Sequence, residues 1–195
     1  MKKISTNKLL LIIFITITLS ISIGILLPAV LSNSNKKIII STLDNFFISI
    51  KNNKINYNSG IISSLSTNII LITIIWILGI SIIGSIIILT IIFIKGFIVG
   101  FSFSSILISY GFKGIFIGIV YILPLLVNLF IYFILCYYSI DFSLILFNYI
   151  FKKRNNIHKK VIKRYIKIYI FSFIFIILSS IVEIYFIPYI IKLLL

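Results

Sequence analysis

Acidic residues are nearly missing from this chain: Asp44, Asp141 and Glu183 are the three in 195 residues. Acid–base catalysis by paired carboxylates and carboxylate metal sites both need such groups to converge, and these three fall on separate segments. Cysteine and histidine each occur once. Cys136 alone allows no disulfide within the chain and no thiolate cluster. His158 lies in a basic stretch and reads as a solvated side chain, because a metal site needs convergent ligands. Neither GxSxG nor HExxH occurs, and no GxGxxG or GK[ST] ending marks a phosphate loop. The chain is therefore expected to be no enzyme, to hold no metal and to need no cofactor.

Apolar sequence is what the chain has in excess. It is 61% hydrophobic and 11% charged, with a mean hydropathy of +1.27, whereas a soluble domain is about half apolar and about a quarter charged. Long apolar runs separated by short polar stretches make lipid the solvent for most side chains. The abundant isoleucines do not argue for strands, because the bilayer forbids open sheet edges. The expected fold is an all-α, polytopic membrane helical bundle of about five transmembrane helices. The net charge of +15 invites comparison with nucleic-acid binders, but the basic residues sit mainly between apolar spans, so no nucleic-acid partner is expected and the partner is the lipid bilayer.

Residues 1–31 read as a cytoplasmic tail and a first transmembrane helix. Its apolar run is longer than a signal peptide's core of about 7 to 15 residues and offers no clear cleavage site, so it is expected to stay as an anchor. Residues 32–67 read as an extracytoplasmic loop, in which 38–50 has the pattern of a short amphipathic helix or a plain loop. Residues 68–195 form the remaining membrane domain, with helices expected near 69–94, 96–112, 115–138 and 168–191 and a basic cytoplasmic loop at 152–167. Residues 141–151 are expected along the surface. Five crossings with the N-terminus inside put twelve basic residues, Lys95 among them, on the cytoplasmic side and six outside, as positive-inside topology requires. The N-terminus is then cytoplasmic and the C-terminus extracytoplasmic.

Small residues recur at four-residue spacing, Gly96 and Gly100 with Ser104 on the same face, then Gly114 and Gly118. Such faces let helix backbones approach closely, either inside one chain or in docking a partner helix or a second copy as a homo-oligomer. Glu183 lies about 24 Å along its helix from the inner charged edge at ~1.5 Å per residue. A carboxylate there should be protonated, paired or facing a wet cavity; its available partners in type are Lys113, Lys192 and Asn128. Pro124 and Pro188 kink or end their helices, and the freed carbonyls need donors such as Asn128.

Several segments, taken in order, resemble one known family. They are Trp76-Ile77-Leu78-Gly79-Ile80-Ser81-Ile82-Ile83-Gly84, then Phe93-Ile94-Lys95-Gly96-Phe97-Ile98-Val99-Gly100-Phe101, Tyr110-Gly111-Phe112-Lys113-Gly114, Ile122-Leu123-Pro124, and Ser179-Ser180-Ile181-Val182-Glu183-Ile184-Tyr185-Phe186-Ile187-Pro188. Their order and spacing are similar to those of the stage II sporulation protein M family over roughly residues 69–195. One departure is that Asn128 follows Pro124 by four residues, where the family pattern has an asparagine two residues on. The resemblance implies a five-span scaffold in the engulfing septal membrane of the mother cell of an endospore-forming bacterium. Its implied partners are the peptidoglycan hydrolases named stage II sporulation proteins D and P, and its implied task is septal thinning and forespore engulfment. In that case Lys95, Gly96, Gly100, Glu183 and Pro188 are architectural, and partners dock on the outer loop or on helix faces such as Gly96, Gly100 and Ser104. The alternative from the residues alone is a small permease-like transport subunit using Glu183 and Asp141.

Overall fold

A computed structural model of the chain describes residues 6–52, 57–81, 83–152 and 159–194. Lys2, Lys3, Lys54, Lys153 and Arg154, counted among the basic residues of the tail and loops, and His158 lie outside them. The described residues form five helices: α1 (Thr6–Val30), α2 (Asn33–Lys51), α3 (Tyr57–Gly79), α4 (Gly84–Lys152) and α5 (Lys159–Leu194). No strand occurs among them. Four of the five, all but α2, are long and apolar enough to cross a bilayer core of about 30 Å.

The 69 residues of α4 are broken at Gly111, whose backbone (φ 56°, ψ −132°) is not helical. Beyond it the chain folds back. A side chain at Gly114 would meet the Ile106 carbonyl at 2.6 Å, Gly118 lies against the Phe103 ring, and Lys95 sits over the Tyr132 ring at 5.2 Å. Residues 84–110 and 112–152 are therefore antiparallel arms of a tight helical hairpin, each long enough to span at ~1.5 Å per residue. The membrane bundle thus has five apolar arms. Gly111→Ala is expected to lower stability by about 1–3 kcal/mol, because a Cβ there meets nothing within 4 Å and the whole cost is the positive-φ backbone; thermal unfolding in detergent measures it.

Side-chain pairs set the direction of every arm. Ser20 against Gly96, Ile21 and Ile25 against Gly100, and Pro28 beside Ser105 make α1 parallel to the first arm of α4. The Tyr132 hydroxyl donates to Asn68 Oδ1 and Ser139 approaches Gly79, so α3 is parallel to the second arm. The Tyr165 hydroxyl donates to the Trp76 carbonyl at 2.5 Å, while Asn68 Nδ2 donates to Ser180 Oγ at 3.0 Å, so α3 and α5 are antiparallel. The starts of α1, of α4 and of α5 consequently share one end of the bundle. Large side chains such as Phe14, Phe130 and Phe186, each about 60% exposed, face outward where lipid would cover them.

The break between helices falls elsewhere than hydropathy suggested. The span expected at 69–94 is cut, because α3 ends at Gly79 and α4 begins at Gly84. Ile80 N–H donates to Ile77 and Ser81 N–H to Leu78, tightening the last turn of α3. Gly84 lies against the Leu78 carbonyl, and Ser143 Oγ donates to Ser81 O at 2.8 Å. Glycine and serine make this turn while Ile80 and Ile83 keep it apolar, so composition does not announce it. The boundary expected between 94 and 96 is absent, since Lys95 and Gly96 lie inside continuous helix.

Two further segments differ from expectation. Residues 141–151 continue α4 as helix and pair with the start of α5: Asp141 forms an ion pair with Arg164 at 3.2 Å, and Phe142 stacks on Tyr165 at 4.2 Å. Helix α5 accordingly starts at Lys159, within the stretch expected as loop. In the segment 32–67, read as an extracytoplasmic loop with 38–50 as a short amphipathic helix or a plain loop, the helix is present as the longer α2, and the first turns of α3 are helical as well. Helix α2 seats Phe47 and Ile50 against Ile106, Ile117, Ile187 and Ile191, at the end opposite to the start of α1. The Tyr110 hydroxyl donates to Asp44 Oδ1 at 2.5 Å, and Lys36 Nζ donates to the Ala29 carbonyl at the end of α1.

Candidate functional site

Ser63, Ser64 and Asn68 near the start of α3 have a structural reason. They line a cavity of about 300 Å³ among α3, both arms of α4 and α5, together with Lys95, Asn128, Tyr132 and Glu183. Gly60, Ser63, Ser64, Thr67 and Asn68 recur at three- and four-residue intervals, which puts them on one face of α3. Lys95 lies about 16 Å along the helix from Gly84 and about 22 Å from Tyr110 at ~1.5 Å per residue, so the cavity sits well inside the span and not at its edge.

Polar groups around the cavity are joined across helices. Tyr132, 1% exposed, donates to Asn68 Oδ1 at 2.8 Å, and Asn68 Nδ2 donates to Ser180 Oγ. This chain ties α4, α3 and α5 together at one level. Hydrogen bonds of this kind between membrane helices contribute about 0.6 kcal/mol each, up to about 1.7. Above it, Ser64 Oγ and Asn128 Nδ2 each point a donor at Glu183 Oε2 from 3.4 Å, longer than an optimal bond. Asn128 is 4% exposed, and its Oδ1 has no partner among the described residues.

Lys95 and Glu183 are both half-buried and line the same cavity. They do not close into an ion pair of 4 Å or less; the ion pair among the described residues is the one between Asp141 and Arg164. Lys95 rests instead on the electron-rich face of Tyr132. The expected partners of Glu183 were Lys113, Lys192 and Asn128. Of these, Asn128 lines the cavity with it and the two lysines do not. Hydropathy places Lys95 at the inner edge, beside an expected helix boundary; with the boundary at 79–84 it enters the bundle. Glu183 and Asp141 do not share a site, since Asp141 is held by Arg164 near the start of α5 and does not line the cavity.

The small-residue face of α4 is taken up inside the chain. Gly96 meets Ser20, and Gly100 meets the Ile21 carbonyl and Ile25 N of α1, while Gly24 of α1 faces the Phe97 carbonyl and Phe101 N. Ser104, 6% exposed, is buried on the same arm. Gly114 and Gly118 serve the hairpin described above, and Pro124 and Pro188 lie within α4 and α5. Ser20 and Gly24 carry the same four-residue spacing as Gly96 and Gly100, a signal in the sequence that would have named α1 as the partner helix. The cavity residues of α3 were missed because their polarity reads as loop when no neighbouring helix is in view.

A bundle of apolar helices with a half-open cavity bearing polar groups among them defines an integral membrane protein of the polytopic α-helical class. Within that class the chain belongs to the family described as Stage II sporulation protein M, which it matches over residues 10–188, from the first apolar helix to Pro188. Comparison with curated proteins and with solved structures gives no match. It is a sporulation-related membrane protein.

Proposed function

We propose that the chain is a non-catalytic scaffold that holds the peptidoglycan hydrolases stage II sporulation proteins D and P in the mother-cell septal membrane, for septal thinning and engulfment. Family membership over residues 10–188 is the observation that carries this reading. The placement of the acids agrees with it: Asp44 is bound to Tyr110, Asp141 to Arg164, and Glu183 faces Ser64 and Asn128, so no two carboxylates meet. A platform of this kind works by effective concentration, since confining two enzymes to one membrane site aims both at the same wall.

Because α1 covers the Gly96–Gly100 face, this reading favours partner contacts on the outer end, where α2 exposes Ile38, Phe46 and Ile48. Deletion in the native organism is expected to block septal thinning, seen by electron microscopy of sporulating cells; normal engulfment defeats the proposal. The cavity at Glu183 favours transport as a second reading. Glu183→Gln separates the two, since a scaffold keeps the hydrolases co-purifying and engulfment proceeding, while a transporter loses flux with the complex intact.

The orientation that goes with the scaffold has the N-terminus in the cytoplasm. With Lys95 inside the bundle, eleven basic residues remain on the side of the N-terminus and of the α4–α5 connection, against six on the other, which still satisfies the charge rule. A reporter fused after Ile157 is expected to read cytoplasmic and one fused after Asn53 external; the same side for both would remove one crossing.

A further inference from the structure

The cavity inside the bundle has a charge pattern that packing alone does not require. Lys95 and Glu183 face it from different helices, are basic and acidic respectively and do not touch, and Asn128 Oδ1 beside them is a buried acceptor with no protein partner among the described residues. Had the pair served only to lock α4 to α5, direct contact is the arrangement expected, since charges deep in a membrane protein gain most when paired and hydrogen-bonded. Instead there is space. At ~30 Å³ per water molecule, a cavity of about 300 Å³ admits a small organic molecule with part of its hydration, at the lower end of ligand-pocket sizes.

The charges limit what such a molecule can be. A lone anion drawn to Lys95 meets the field of Glu183, a lone cation drawn to Glu183 meets that of Lys95, and a neutral apolar molecule strips water from both. One molecule carrying an ammonium and a carboxylate satisfies all of them. Its carboxylate is received by Lys95, and its ammonium by Glu183 and Asn128 Oδ1. Ser63 and Thr67, both exposed on α3, form the polar approach on the same face as Ser64.

We propose that the cavity lined by Lys95, Asn128 and Glu183 is a binding site for a small zwitterion of amino-acid size. The site stands on the cavity's own geometry and not on the scaffold reading, so either can fail while the other holds.

The test uses the full chain purified in detergent micelles and equilibrium titration with radiolabelled glycine, alanine and γ-aminobutyrate, which differ in the separation of their charges. Acetate and methylammonium, each bearing one charge, serve as comparison at equal ionic strength. Saturable binding of at least one of the three zwitterions is expected, with neither single-charge probe binding comparably. Lys95→Met and Glu183→Gln, where circular dichroism and elution volume show a folded protein, are each expected to weaken that binding about tenfold or more, as loss of a charged hydrogen bond implies. Absence of saturable binding by all three zwitterions overturns the proposal and leaves a cavity that holds water alone. Equal binding of acetate or methylammonium overturns it in favour of a simple ion site. Both of these outcomes are read on the unaltered protein and need no variant to fold.

Discussion

Gly100→Val is expected to undock α1 and to lower the stability of the bundle by about 3 kcal/mol, the upper range for overpacking. The size of the effect follows from what a side chain would strike. A Cβ at Gly100 meets the Ile21 carbonyl, with Ile21 C at 3.0 Å and Ile25 N at 3.1 Å, all backbone atoms of α1 that no rotamer change can move. Between lipid-facing helices there is no hydrophobic drive to hold a loosened contact, so lost van der Waals approach is lost association. Gly60→Val is the comparison, since a side chain there meets nothing within 4 Å and little change is expected. Gly96→Ala should be milder, because its obstruction is the Ser20 side chain; pairing it with Ser20→Gly is expected to restore most of the loss. Unfolding in mixed detergent micelles measures all four, and wild-type stability for Gly100→Val would refute the close approach of α1.

Removing Glu183 as Glu183→Leu is expected to cost about 2 kcal/mol, and removing Lys95 as Lys95→Met about as much. Either change leaves one charge inside the bundle without its opposite. The leucine also takes the acceptor from Ser64 and Asn128. Breaking a buried contact pair costs about 3–5 kcal/mol; the lower figure applies because these two charges do not touch and both border an open cavity. The double variant is expected to be more stable than the two losses summed, by about 1 kcal/mol or more, since neither charge is then stranded. Strict additivity in the double-mutant cycle would mean that Lys95 and Glu183 do not sense each other, and would also remove the electrostatic basis of the zwitterion site.

These expectations depend on contacts that are only partly legible in the chain's letters. That Glu183 matters could be read from an acid inside an apolar helix, because its desolvation follows from composition alone. Its companion Lys95 could not. Hydropathy runs unbroken through Ile80–Ile83, so the turn that moves Lys95 from an edge to the interior is written only in Gly79, Ser81 and Gly84. The glycines of α4 announced close packing by their spacing, while which helix they meet depends on α1 running parallel to that arm.

Composition and run length alone make this a membrane protein of apolar helices, because the free energy of placing side chains in lipid depends on them. Motifs whose order survives without coordinates also mark the family. Where helices break, that the polar first turns of α3 are a cavity wall and not a loop, and that Lys95 and Glu183 face one space are facts of the folded bundle. Those facts depend on what lies across from each residue, and a one-dimensional pattern records neighbours along the chain, not neighbours across the bundle.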